Sequence, residues 1–416
     1  MAGRSRKMNQ PAGGGRSLSA GAKAGIAAAV CLVLIGGMIA GAFAMGWLKL
    51  PGILSPESTE PLDTAPATQP ARDTVVHFVA GGDVNVTDKV VSSGAAGGGY
   101  DYSDIFLDVI PVLSGADLTA LNFEGNLYDE PYGSQHNSAP QELVQALRDS
   151  GVDILQTANS KSITNGILGL TATLKGIREA GMQPLGTYAD AEEFQRYQGF
   201  VIQEVEGIRI ALTAFTKGMD GRGLPAGSED CVNLLYTDYN SAYQKVDEEG
   251  IQAVLQAIAA QKPDITIALL HWGSEFNDQI SKTQKEICQI MAREGVDAVI
   301  GTHPHYVQEI GFDGETGMFI AYSLGDFYGD GDKSGTDYSV LLDLEITRNG
   351  RTGQVRISGY SYTPIYRYED PDGNVRLLRI REALAAYENR YIDAVPETVY
   401  ESMKSALARI EDRVEG

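Results

Sequence analysis

Short apolar runs alternate with longer segments of helical period along most of the chain. Val75–Ala80 is a β-rich run ended by Gly81-Gly82. Leu118–Phe123, Val152–Thr157, Ile208–Phe215, Ile265–Leu270, Ala298–Ile300 and Phe319–Ser323 read in the same way, as buried strands. Between them, Gln141–Asp149, Leu168–Ala180, residues 240–261 and Lys282–Glu294 place apolar residues at helical spacing, with Gly181, Pro263 and Gly295 as stops. Strands alternating with helices predict a layered α/β domain over residues 74–330. After residue 337 the pattern changes. Val340–Ile346 and Val355–Tyr362 flank Arg348-Asn349-Gly350, a hairpin signal, and residues 376–413 read as helical with a break near Pro396. Residues 331–416 are therefore expected to form a hairpin and helical extension.

The start of the chain obeys another rule. Ala24–Leu48 is a run of 25 uncharged, mostly apolar residues. At about 1.5 Å per residue it reaches the ~30 Å needed to cross a bilayer core. Five basic residues precede it, which predicts residues 1–23 in the cytoplasm and everything after Lys49 outside. Ala42-Phe43-Ala44 fits a signal-peptide cleavage pattern, but the run is longer than a typical signal core, so an uncleaved single-pass anchor is expected over 24–48. Residues 49–73 are Pro-rich and lack an apolar period, as a linker does. The expected location is the cell membrane, with the C-terminal domain extracellular.

Composition narrows the partners. The 416 residues carry 33 Lys and Arg against 55 Asp and Glu, a formal charge of −22. All but 27 of the basic residues lie in the first 50 positions, so the exterior part is more acidic still. Such a surface excludes nucleic acid as an unaided partner, because its binding needs positive charge to release counterions. Three cysteines are too few for a disulfide scaffold, and nothing in the spacing says whether Cys231 and Cys288 pair.

The informative feature is the set of polar residues that ends each apolar run. In layered α/β folds, sites form beyond the carboxyl ends of strands. Here those ends read Asp83-Val84-Asn85, Asn122-Phe123-Glu124, Asn159-Ser160-Lys161, His271-Trp272-Gly273-Ser274-Glu275, His303-Pro304-His305 and Gly325-Asp326. Three of only five histidines lie at these ends. His-x-His can present two imidazoles to one ion, and Asp, Glu and Asn add hard oxygen ligands. The mixed set suits one or two divalent ions of Mn, Fe or Zn, and the absence of Cys argues against a structural zinc site. The alternating tyrosines Tyr360, Tyr362, Tyr366 and Tyr368 read as strand packing, Gly94–Gly99 as a mobile loop, and the acidic run Asp326–Asp332 as a solvated loop.

These motifs occur in an order and spacing that resembles the CapA-type poly-γ-glutamate capsule biosynthesis proteins, a branch of the calcineurin-like metallophosphoesterase superfamily. The resemblance covers about residues 75–328. It implies a two-sheet sandwich flanked by helices, with metal-binding loops at one end. Carried over, Asp83 is a first-strand metal ligand, Glu124 a bridging carboxylate and Asn159 a ligand amide. His271, His303 and His305 match imidazole ligands, Asn85 stands where the superfamily has a further ligand, and Trp272 and Glu275 would line the site. Asn159-Ser160-Lys161 replaces the usual Asn-Asn-His. Lys161 can stabilise negative charge there, although its reference pKa near 10.4 is poorly matched to a general acid. Lys161, His271 and Glu275 are the expected catalytic groups. The resemblance implies an anionic polymer or its synthesis machinery as partner. The alternatives are an extracellular metal-dependent phosphoesterase and a catalytically inactive scaffold on the same fold.

Overall fold

The computed structural model describes residues 72–391 and 394–414. The predicted anchor, cytoplasmic tail and nearly all of the linker lie outside these residues. Among the described residues no helix is long and apolar enough to cross a membrane.

Two sheets face each other. In the first, strand β1 (Thr74–Asn85) lies between β2 (Leu118–Glu124), parallel to it, and β12 (Tyr338–Arg348), antiparallel. Beyond β2 come the parallel strands β3 (Ile154–Gln156) and β4 (Gln183–Leu185). Beyond β12 come the antiparallel strands β13 (Val355–Glu369) and β14 (Val375–Arg379). A short strand, β11 (Asp326–Tyr328), pairs parallel with the end of β1. The second sheet runs in the order β9 (Ile310–Phe312), β10 (Phe319–Ala321), β8 (Ala298–Thr302), β7 (Ile265–His271), β6 (Ile208–Thr216) and β5 (Phe200–Val205).

Strand alternation assigns each side chain to a layer. Val76, Phe78, Leu118, Ala120, Val340 and Leu342 of the first sheet meet Ile210, Leu212, Ile265, Ile267, Ala298 and Ile300 of the second in one buried core. Burying each Leu or Ile completely contributes about 1.5–3 kcal/mol. The opposite face of the first sheet, through Leu121, Phe123 and Leu155, packs on helices α1 (Gln141–Asp149) and α2 (Gly166–Glu179). The opposite face of the second, through Ala268 and Leu270, packs on α3 (Glu248–Ala260) and α4 (Lys282–Arg293). Both faces of the central strands are therefore covered, which is why they read as continuous apolar runs.

Several elements differ from the sequence-based expectation. Helix α3 begins at Glu248 and not at 240, because the Asp238 carboxylate accepts from the backbone of Gln244 and Lys245 and folds that stretch into a turn. Asp247 then caps the helix by accepting from Gly250. Strand β5 was not evident in the sequence; it pairs with β6 across Glu206-Gly207, both at positive φ, a two-residue hairpin turn. Residues 376–379, expected to be helical, belong to strand β14 because their backbone pairs with β13. Helices α5 (Ile380–Glu388) and α6 (Glu397–Val414) come after it. The Gly94–Gly99 stretch is a small hairpin, with Ala95–Ala96 paired to Gly99–Tyr100. Cys231 and Cys288 are buried free thiols.

Candidate metal centre

The carboxyl ends of β1, β2, β3, β6, β7 and β8 all point one way, and the register places their last residues side by side. Asp83 lies opposite Asn122, Asn122 opposite Gln156, and His271 opposite both Thr216 and Thr302. The backbone N–H of His303 donates to Asp83 Oδ2 at 3.0 Å, joining the loop after β8 to the end of β1. Two glycines allow the approach. A Cβ on Gly82 would stand 1.7 Å from the Gly325 carbonyl oxygen, and one on Gly301 would stand 2.0 Å from that of Tyr322.

Asp83, Glu124, His271, His303, His305 and Asp326 form one cluster, each nearly or wholly shielded from solvent. His271 lies 3.8 Å from Asp83 Oδ1 through Nδ1 and 3.6 Å from Glu124 Oε1 through Nε2. His305 lies 3.6 Å from Asp83 Oδ2 through Nδ1 and 3.9 Å from Glu124 Oε2 through Nε2. Its Nδ1 also meets Asp326 Oδ1 at 2.6 Å. Ligand atoms of Glu124, His303 and His305 lie within 4.8 Å of one another, and so do those of Asp83, His305 and Asp326. The surroundings hold these groups in place. Asn122 Nδ2 donates to Asp83 Oδ1 at 2.5 Å, Ser160 Oγ donates to Glu124, and Thr302 Oγ1 lies 3.2 Å from His271 Nδ1.

The other expected site residues have distinct places. Asn159 is buried, and its amide is engaged. Nδ2 donates to Asn122 Oδ1 and to the Phe123 carbonyl, and Oδ1 accepts from Lys161 N. Lys161 Nζ donates to Asp220 Oδ2 at 2.7 Å. Asn85 is half-buried at the end of β1, opposite Glu124 in register, and is outside both groups of clustered ligand atoms. Glu275 is exposed in the loop after β7. Trp272 does not line the site. Next to inward-facing His271 it points outward, donates to the Tyr322 carbonyl and packs in the helix-facing core. Asp326 corrects the solvated-loop reading of Asp326–Asp332, because pairing of β11 with β1 draws it into the cluster.

Electrostatics set the protonation. Burial pushes the Asp83 carboxyl up to about 8, and the neighbouring charge of Glu124 adds to this. Burial likewise raises Glu124 and Asp326. His271 and His303 are held well below the usual imidazole range, chiefly by burial, with Lys217 and Lys161 among the contributing charges. Burial also lowers His305, but the charge and hydrogen bond of Asp326 outweigh it and leave the group well above that range. Of the buried polar side-chain atoms without a hydrogen-bond partner among the described residues, two lie in this cluster, Glu124 Oε2 and His303 Nδ1. Buried polar atoms are almost always satisfied, so two orphans in one imidazole and carboxylate cluster mark a place for a cation. The donor set, three imidazoles and three carboxylates, is compatible with a divalent metal.

The family described as bacterial capsule synthesis protein PGA_cap matches residues 77–331, more than half of the chain. The chain belongs to that family. Within it, "Capsule biosynthesis protein CapA" of Bacillus anthracis is 27% identical over 265 residues, which are 61% of this chain and 59% of the relative. "PGA biosynthesis protein CapA" of Bacillus subtilis (strain 168) is 27% identical over 262 residues, 61% of this chain and 64% of the relative. The chain thus spans less than two thirds of the length of either. Among solved structures, the calcineurin-like phosphoesterase YfkN of Bacillus subtilis aligns with 80% of this chain and 99% of its own, at 15% identity and a TM-score of 0.40. That likeness says nothing about chemistry.

Lys217 was not named from the sequence, and Asp326 was named only as a strand end and not as a candidate ligand. Asp326 was visible as a polar residue ending an apolar run, but it was grouped with the acidic stretch after it. Lys217 stands directly after the apolar run of β6, and the strand-end rule would have found it.

Proposed function

We propose that this chain is a divalent-metal-dependent protein of capsule polymer synthesis or export, with an anionic polymer such as poly-γ-glutamate, or its synthesis machinery, as partner. It would work outside the membrane behind the apolar segment of residues 24–48. Family membership and the names of the two relatives support the pathway. The observation that carries the metal-dependent part is the pair of orphaned ligand atoms, Glu124 Oε2 and His303 Nδ1, inside one buried cluster.

Asp83, Glu124, Asp326, His271, His303 and His305 would hold the metal, which supplies polarisation of a carboxylate, amide or phosphoryl oxygen. The chain's own groups do the rest. Asp326 fixes the ring of His305, and Asn122 and Thr302 fix that of His271. Partners that orient metal-ligating imidazoles in this way typically change metal affinity 10–100-fold when removed. Asp220 holds the Lys161 ammonium near Glu124, where it favours a negatively charged group.

The test is genetic and chemical together. Deleting the gene in the source bacterium is expected to abolish surface polymer. The wild-type gene should restore it, and Glu124→Gln should not. Elemental analysis of the two purified proteins is expected to find Mn, Fe or Zn in the wild type and little in the variant. Restoration of polymer by a metal-free Glu124→Gln protein would defeat the metal-dependent reading.

A further inference from the structure

Strand β6 ends at Thr216 beside His271, and the backbone N–H of Lys217 donates to the His271 carbonyl at 2.8 Å. This carries the Lys217 side chain to the edge of the cluster. Its Nζ donates to the Gly273 carbonyl at 2.6 Å, lies 3.5 Å from His303 Nε2, and stands 4.7 Å from the centre of the Tyr243 ring. The residue is half-buried and makes no ion pair among the described residues. Lys161, whose charge also acts on His303, is neutralised by Asp220 at 2.7 Å. Glu275 and Asp220 act on Lys217 only through space. An ammonium drawn out of water with one carbonyl and no carboxylate to answer it is costly. The cost is recovered when an anion arrives.

We propose that Lys217, together with Lys161, forms a subsite at the edge of the cluster that receives one oxyanion, a carboxylate or a phosphate, and that Lys217 fixes that group. The proposal rests on the reading of the cluster as a substrate-processing metal site and names the chemistry of the group presented to it. Two observations favour a single charge: of these two ammonium groups only that of Lys217 is uncommitted, and the carboxylates of Asp220 and Glu275 oppose a second anion.

The experiment uses the full-length chain, metal-free and Mn²⁺-loaded, with calorimetric titration of orthophosphate and of γ-glutamylglutamate. The two probes separate a phosphate source from a carboxylate source. The wild type is expected to bind at least one of them, and Lys217→Met to bind it at least fivefold more weakly in one or both metal states. Lys217→Arg, which keeps the charge, should stay within fivefold of the wild type. The melting temperature of Lys217→Met should be equal to or above that of the wild type, because an unanswered buried charge has been removed. The proposal is overturned if the wild type binds neither probe, if Lys217→Met binds within fivefold of it, or if the Arg and Met variants lose affinity equally. A Mn²⁺ titration of the same samples keeps the two readings apart. Failure to bind Mn²⁺ sinks the metal reading, whereas Lys217-dependent anion binding without metal leaves the subsite standing.

Discussion

Asp83 is wholly buried between Glu124, Asp326 and three imidazoles, and its carboxyl keeps its proton up to about pH 8. In the unfolded chain the same group releases it near 3.8. Between those values the folded protein binds more protons than the unfolded one, so the metal-free protein loses stability as pH rises. His271 and His303 pull the other way only below about 6.5, where unfolded imidazoles take up protons that the folded ones refuse. Above 6.5 His305, held well above the usual range, keeps a proton that the unfolded imidazole releases and so acts with Asp83; the window is therefore pH 6.5 to 8, with a slope of about 1 kcal/mol per pH unit for each proton so held. Chelated protein is expected to melt at a lower temperature at pH 8 than at pH 6.5. Added Mn²⁺, which replaces the protons, should raise the melting temperature more at pH 8. Asp83→Asn should reduce the slope and leave the part due to His305; an unchanged slope in that variant would remove Asp83 as a contributor. That these groups were candidates was legible in the sequence because each stands at or just beyond the end of an apolar run. Their protonation was not, since it depends on how deeply the fold buries each group and on which charges it brings near.

Strand ends converge only because backbones pack closely at two points. Gly82 lies against the Gly325 carbonyl, and the backbone N–H of Asp83 donates to that same oxygen at 3.1 Å. Gly82→Ala would force β1 and the strand β11 apart. Overpacking of this kind typically costs 1–3 kcal/mol. The expected outcome is a lower urea midpoint together with weaker Mn²⁺ binding, since Asp83 and Asp326 would separate. Gly314→Ala, at an exposed position without positive φ whose added Cβ meets nothing within 4 Å, controls for loss of glycine at the surface. At this level the sequence was a partial guide. Continuous runs such as Ile265–Leu270 announced β7, while β5 and β14, which lack such a run, are strands because each pairs with a neighbouring strand in a hairpin.

The hairpin after residue 337 occupies the middle of the first sheet. Strand β12 pairs with β1 over seven positions, from Thr74 opposite Arg348 to Ala80 opposite Leu342. Val340, Leu342, Leu344 and Ile346 belong to the core between the sheets, and Met403 and Ile410 of α6 reach the same core. The family match stops at residue 331, before these strands. A chain truncated after Gly331 would expose one whole edge of β1 and is expected to be insoluble or to lack a cooperative melting transition. Cooperative melting of that truncation would show that β12–β14 are dispensable for the core.

The amino-acid order is enough to give the alternation of strands and helices, the polar groups that end each strand and the acidic balance of the chain, because these are local properties of neighbouring residues. Which ends meet, that Asp326 leaves an acidic loop to hold His305, that Trp272 turns away, and that Lys217 makes no ion pair among the described residues were settled by packing. Those facts depend on sheet register and on the close approach of glycine backbones, and no run of adjacent residues encodes either one.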